Sequence, residues 1–267
     1  MQKVRLDVLM TERGLADSRS QAQRLVMAGQ VRVNGQVALK PADRFSSEVE
    51  IQVDRGPRYV SRGGEKLEAA LEAFQLTELG GMVCVDVGAS TGGFTDCLLQ
   101  HGAGKVYAVD VGYGELHWKL RNDPRVVVME RTNARYVEGF PEPIALVTID
   151  ASFISLRILL PATGKWLSEG GEVVALIKPQ FEAGRQEVNR GDGVIQDPLI
   201  HRRVLAEVLG YAREDRFAIK GLIRSPLKGP KGNTEFLAHL VFAGSSSEEP
   251  PGSDDLAEWI DQVMPEQ

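Results

Sequence analysis

Apolar and polar positions follow two different rhythms along this chain. Over the first 55 residues they mark out small elements. Leu6, Leu9 and Met10 precede a turn at Gly14, and the pattern reads as a short helix. Ser18 stands as an N-cap with Gln21 three positions on, and the helix it opens runs to about Ala28 and stops at Gly29. Val31 to Val37 alternates around Asn34-Gly35, the mark of a tight hairpin, and Val49 to Val53 supplies a further strand. The expectation is two helices and a small β-meander. Asp54 to Arg58 (Asp-Arg-Gly-Pro-Arg) reads as a joint.

From Tyr59 the rhythm changes. A helix is expected over Glu65–Phe74. Apolar runs at Val83–Val87, Val106–Val109, Val126–Glu130, Ala145–Ile149 and Glu172–Ile177 then alternate with helical stretches, and a hairpin-like pair follows near Ala218–Ile223 and Phe236–Phe242. Strands alternating with helices predict an α/β fold with a doubly wound, Rossmann-like sheet behind a small α+β unit. The organisation expected is a unit over residues 1–55, a linker over 56–60, a large domain over 61–244 and an acidic tail over 245–267. The Ser/Pro/Glu-rich stretch 245–253 is expected to be mobile, with a short amphipathic helix at Leu256–Val263.

Composition narrows the class. The chain is 43% apolar, and no run of 18 apolar residues exists, so a membrane-spanning helix is not expected. The opening residues carry Lys3, Arg5 and Asp7 and lack the apolar stretch of a secretory signal, which predicts a cytoplasmic protein. Cys84 and Cys97 are too few for a disulfide framework and read as buried thiols. The net charge of -6 is concentrated at one end: Ser245 onward holds seven acids and no Lys or Arg, and the remainder stands at +1. That body can approach a polyanion. Arg19 and Arg24 on the second helix, with Lys3, Arg5 and Arg32 nearby, are candidate phosphate contacts.

The chemistry gathers at strand ends. Cys84-Val85-Asp86-Val87-Gly88-Ala89-Ser90-Thr91-Gly92-Gly93-Phe94 is a strand, a glycine loop and a helix start, where a ligand can come close to backbone. Its Gly-x-x-x-Gly-Gly spacing departs from the dinucleotide pattern Gly-x-Gly-x-x-Gly. Asp110 ends the next strand, 24 residues after Asp86, and suits a ribose diol. Asp150 and Lys178 end two further strands, Glu235 opens the last one, and Lys66 lies on the first helix of the large domain.

Two resemblances rest on these residues. Arg5-Leu6-Asp7, Ser18-Arg19, Ala22, Gly29-Gln30-Val31 and Val33-Asn34-Gly35 resemble the S4 RNA-binding domain, which implies docking to structured RNA. Asp86 to Phe94 resembles motif I of the FtsJ-like ribose methyltransferases. With Tyr59 to Leu67, Thr148 to Ser155, Leu176 to Glu182 and Gly232 to Phe236, the chain is similar to the TlyA (haemolysin A) family, which joins an S4 domain to an FtsJ-like domain. The resemblance implies S-adenosylmethionine as cofactor. Gly88, Ser90, Gly92 and Gly93 would hold its methionine part with Phe94 against it, Asp110 its ribose, and Asn133 (or Thr132 or Arg131) its adenine, with Asp86 a further cofactor-binding residue.

It further implies a catalytic tetrad of Lys66, Asp150, Lys178 and Glu235 that methylates a ribose 2′-OH, a cytidine of small- or large-subunit rRNA or both. Lys178 would be the general base, its pKa depressed by Lys66 and partial burial. Asp150 would orient it, and Glu235 would fix Lys66 or the target ribose. Arg62, Arg185, Lys228 and Lys231 would line the RNA path. Base methylation is disfavoured, because Asp150-Ala151-Ser152-Phe153 stands where an amine methylase carries Asn/Asp-Pro-Pro-Tyr/Phe, and no Pro-Cys nucleophile is present there. The readings from other classes are a non-catalytic RNA-binding assembly factor, against which the intact tetrad argues, and a membrane-active haemolysin, for which no spanning helix or barrel pattern exists.

Overall fold

The computed structural model describes residues 3–54, 56–184, 187–188, 191–244 and 256–264. Arg185 and the stretch 245–255 lie outside the described residues. The chain divides into two compact units, Met1–Arg58 and Tyr59–Gln267.

In the first unit, strand β1 (Lys3–Arg5) leads into helix α1 (Leu6–Glu12), and helix α2 spans Arg19–Met27. The Ser18 hydroxyl accepts from Gln21 N–H, and the Gln21 side chain reaches back to Asp17 N–H, so both ends of the cap are satisfied. At the other end Gly29 takes φ +71°, with Gly29 N–H donating to Val26 O and Gln30 N–H to Leu25 O. That pair of bonds is a Schellman stop, and it needs the left-handed residue that glycine supplies. Strands β2 (Val31–Val33) and β3 (Gln36–Val37) meet at Asn34-Gly35, both at positive φ. Strand β4 (Arg44–Ser46) pairs with β1, and β5 (Ile51–Val53) pairs with β2. The β1–β4 pair was not expected, and two small sheets stand in place of a plain meander. Leu6, Met10, Ala22, Val26 and Val31 are the fully buried core.

The second unit is a three-layer α/β domain. Helix α3 (Gly63–Ala73) precedes strand β6 (Val83–Val87), helix α4 (Gly93–Gln100), strand β7 (Lys105–Val109), a short helix α5 (Trp118–Arg121), and strands β8 (Val126–Met129) and β9 (Ile144–Ile149). Helix α6 (Leu156–Thr163), strand β10 (Leu167–Ile177), a helical turn α7 (Pro179–Glu182), helix α8 (Pro198–Glu214), strands β11 (Phe217–Arg224) and β12 (Phe236–Phe242), and helix α9 (Leu256–Val263) complete it. The sheet order is β11-β12-β10-β9-β6-β7-β8, parallel except that β12 runs antiparallel to both neighbours. Alternate residues face two cores. Cys84, Val106, Leu146 and Val174 pack with α3 and α4, while Val85, Val109, Val147 and Val173 pack with α6 and α8. Burial on both faces explains the Val/Ile-rich strands. Strand order reverses between β6 and β9, so the loops after β6 and β9 part there and open a crevice at the carboxyl edge. Helix α9 packs on α8 and β11 through buried Ile260, with Arg202 pairing Asp261. This part of the tail is therefore packed rather than loose.

Candidate active site

The loop after β6 is shaped by its glycines. Gly88 takes φ +84°, and a Cβ there would sit 2.8 Å from Asp150 O. Gly93, the first residue of α4, comes so close to the first turn of α3 that a Cβ would stand 2.9 Å from Gly64 N. Ser90 also has positive φ (+45°), and its N–H donates to Asp110 Oδ2 at 2.8 Å. Asp110 Oδ1 accepts from Gly112 N–H at 2.7 Å. Two backbone donors thus fix this carboxylate at the end of β7, and they use only part of its acceptor capacity.

The four candidate catalytic side chains come from four elements and meet in one cleft of about 730 Å³, also lined by Gly88, Ser90, Gly93 and Phe94. They form two pairs. Lys178 Nζ lies 2.7 Å from Asp150 Oδ1, and donates to Ser152 Oγ at 2.9 Å and to Asp150 O at 3.3 Å. Lys66 Nζ donates to Glu235 Oε2 at 2.5 Å. Lys66, Lys178 and Glu235 are buried, and charges in such a place persist only when paired and hydrogen-bonded. Glu235 Oε1 accepts in addition from Gln180 Nε2 at 3.3 Å. Of the two partners expected for Glu235, this arrangement supplies Lys66.

The loops carrying these residues are themselves tied down. Glu182 Oε2 accepts from the Ser155 hydroxyl at 2.6 Å and Oε1 from Leu156 N–H at 2.9 Å, which joins the loops after β9 and β10. Buried Asn233 accepts from Ile195 N–H at 2.8 Å and donates to Gly193 O at 2.9 Å, anchoring the approach to Glu235. Ser152, Gln180, Glu182 and Asn233 went unassigned from sequence. Their only signal was adjacency to Asp150, Lys178 and Glu235.

A second cleft of about 760 Å³ adjoins the first, shares Gly88, Ser90, Asp150, Ser152 and Phe153 with it, and continues along Asp110, Thr132 and Asn133. Phe153 stands where the two clefts meet. It takes φ +63°, its ring is 91% exposed, and it lies 4.9 Å from the Phe181 ring. A bulky residue in the left-handed region is strained, and such strain concentrates at functional sites.

The chain is similar to known proteins along most of its length. The FtsJ-like methyltransferase model matches residues 59–242, and the S4 domain model matches residues 4–51. The 16S/23S rRNA (cytidine-2′-O)-methyltransferase TlyA of Mycobacterium tuberculosis is 47% identical over 89% of this chain and 90% of its own. The chain belongs to the TlyA family. Hemolysin A of Brachyspira hyodysenteriae is 44% identical over 90% of this chain and 100% of its own. A solved Streptococcus thermophilus structure, described as a hemolysin, is 47% identical, covers 98% of this chain and 96% of its own, and superposes with a TM-score of 0.70. Among the described residues, no helix of this TlyA-family chain is long and apolar enough to cross a membrane.

Several expected contacts fall elsewhere in this TlyA-family fold. Asp86 lines neither cleft. It is fully buried on the central strand, where it accepts from the Thr95 hydroxyl at 2.6 Å and the Thr148 hydroxyl at 3.3 Å. Gly92 faces inward too, where a Cβ would meet Leu120 Cδ1 at 2.2 Å, so its role is close packing. Arg131 stacks over the Tyr113 ring at 4.2 Å rather than lining the second cleft. Asn133 lines that cleft but uses its side-chain oxygen to cap the turn at Ala134–Tyr136. Arg62 and Lys231 border the first cleft, whereas Lys228 borders a separate pocket with Arg224 and His201. In the first unit, Arg24 is exposed, while Arg5 and Arg19 are both engaged by Asp7. Cys84 and Cys97 are buried, and burial pushes the Cys84 thiol up to about 12, with Asp86 adding to it.

Burial pushes the Asp86 carboxyl up to about 7 against the opposing hydrogen bonds, with the charge of Asp150 adding to the rise. Unfolded, it would titrate near ~4. Between those values the unfolded chain has lost the proton and the folded one keeps it, so this group lowers stability as pH rises from about 4 to 7. Thermal melts across that range should show Asp86→Asn gaining stability relative to wild type as pH rises. A difference independent of pH would contradict the assignment.

Proposed function

We propose that this chain transfers a methyl group from S-adenosylmethionine to a ribose 2′-OH of ribosomal RNA, a cytidine in a ribosomal subunit, in the cytoplasm. The observation that carries the reading is the Lys178–Asp150 pair at the floor of a cleft bordered by the glycine loop. The residues present suit the cofactor. Gly88 and Gly93 line the cleft with bare backbone, since a side chain at either would collide with neighbouring residues, and the fixed Asp110 carboxylate has acceptor capacity left for a ribose diol. Gly88, Ser90, Gly93 and Phe94 would hold the methionine part, Asp110 the ribose, and the cleft wall at Asn133 the adenine. When bound, the cofactor supplies an electrophilic methyl group on a sulfonium.

This chain's own residues do the rest. A ribose hydroxyl is a poor nucleophile, and its reaction needs a proton acceptor held in line. In its neutral form Lys178 Nζ takes the 2′-OH proton on its lone pair, and Asp150, 2.7 Å away, holds the ammonium that results. Ser152 fixes the third direction around Nζ. Lys66, locked by Glu235 and indirectly by Gln180, presents a cation at the cleft wall that positions the sugar–phosphate. The exposed Phe153 ring offers a face on which an unstacked base can rest, the usual means of presenting a single nucleotide of RNA. The S4 unit would dock the RNA, with Arg62 and Lys231 contacting phosphates at the cleft.

The names of the relatives support the substrate class. The test is transfer of label from methyl-labelled S-adenosylmethionine to unmodified 30S and 50S subunits. Cofactor binding without transfer to any RNA would instead favour an assembly factor that has lost the chemistry.

A further inference from the structure

The first unit contains a carboxylate that four hydrogen bonds converge on. Asp7 is fully buried. Arg5 donates to it twice, from Nε at 3.0 Å and Nη2 at 2.9 Å, Arg19 donates from Nη2 at 3.2 Å, and Gln23 from Nε2 at 2.8 Å. The donors arrive from different elements: Arg5 precedes α1, while Arg19 and Gln23 lie one turn apart on α2. The hydrogen bonds from Arg5 lead in holding the Asp7 carboxyl well below the usual carboxylate range, so it is charged wherever the protein is folded near neutrality.

The acid is sealed and its partners are not. The Arg5 and Arg19 side chains are 37% and 55% exposed against 0% for Asp7, and among the described residues no second carboxylate pairs with either. One acid against two arginines leaves a net positive charge. Each guanidinium has five N–H donors, and most of them remain for an external anion. A buried ion pair seldom stabilises a fold more than well-packed apolar residues would, so stability alone is a weak reason for it here. Clamping one edge of a guanidinium does something else: the opposite edge is set in direction before a ligand arrives, which removes an ordering cost from binding.

We propose that Asp7 is a positioning residue for RNA docking, fixing the Arg5 and Arg19 guanidiniums as a preset pair of phosphate donors on the surface of the first unit. The inference rests on the reading that the chain acts on rRNA. Charge counting and positioning predict opposite signs. Removing a negative charge from an RNA-facing surface strengthens binding if only charge matters. If placement matters, Asp7→Asn weakens binding despite its gain of positive charge.

The test measures affinity of the full-length protein for in-vitro-transcribed, unmodified 16S and 23S rRNA at two salt concentrations. Asp7→Asn is compared with Arg5→Lys and Arg19→Lys, which keep the charge and lose the planar fork. Each variant is expected to bind about tenfold more weakly, with S-adenosylmethionine affinity unchanged. Circular dichroism checks folding; if Asp7→Asn unfolds, the two half-exposed arginine positions decide. Wild-type or tighter binding by a folded Asp7→Asn, or wild-type binding by both lysine variants, would overturn the positioning role and leave the methyltransferase reading intact. Failure of the wild type to bind either RNA would overturn the RNA reading, and the proposal with it.

Discussion

Lys178→Met is expected to abolish methyl transfer while leaving cofactor binding intact. Methionine keeps the unbranched stem of the side chain and removes the nitrogen that meets Asp150 Oδ1, Ser152 Oγ and Asp150 O together. A positioned general base contributes about 10²- to 10⁴-fold, and here the unpaired Asp150 charge left behind adds to the loss. A fall of roughly 10³-fold or more in the single-turnover rate is therefore predicted. The dissociation constant for S-adenosylmethionine should move less than about threefold, because Lys178 is not among the residues proposed to hold the cofactor. Near-wild-type turnover by this variant would remove Lys178 from the chemistry. An equal loss of cofactor binding would make it a cofactor ligand instead.

Gly88→Val attacks the opposite half of the site. Two independent penalties coincide there. The backbone is at φ +84°, and the first added carbon would lie 2.8 Å from Asp150 O, with Ala151 backbone at 3.0 Å. A β-branched residue at positive φ is a genuine outlier and costs on the order of 1–3 kcal/mol before the clash is counted. The clash is with backbone, so no side chain can rotate away. The loop must shift, and with it Ser90 N–H, which fixes Asp110. Calorimetric titration should show S-adenosylmethionine affinity lost by about 100-fold or more, with a lower melting temperature. Unchanged affinity would mean that the cofactor cradle is elsewhere.

How much of this was legible in the sequence follows from the physics of each element. The strands of the large sheet announced themselves because both faces are buried, which demands runs such as Val83–Val87. The α2 boundaries were legible because Ser18, Gln21 and Gly29 are local chemistry, satisfied within a few residues. The same two-sided burial hid the place of Asp86: on a strand enclosed on both faces, a carboxylate beside a glycine loop need not point at the ligand. The β1–β4 pair was hidden for another reason. Three residues on each side, about 40 apart, carry too few alternations to register. Within the site, membership of the tetrad could be read, but its pairing could not, because Lys66 and Glu235 lie 169 positions apart and only the fold joins them. The engagement of Arg5 and Arg19 by Asp7 was hidden for another reason, since an acid in the first turn of a helix looks like any solvated acid.

The most direct measurement of the central claim is the alkali stability of the methylated product. Label transferred from methyl-labelled S-adenosylmethionine to unmodified ribosomal subunits is followed by complete alkaline hydrolysis of the RNA. A methyl group on the 2′-oxygen removes the internal nucleophile that alkaline cleavage needs. Label is expected in an alkali-stable dinucleotide, present with wild type and absent with Lys178→Met. Label recovered in mononucleotides would mean a methylated base, and would contradict the assignment of Lys178, Asp150, Lys66 and Glu235 to ribose chemistry.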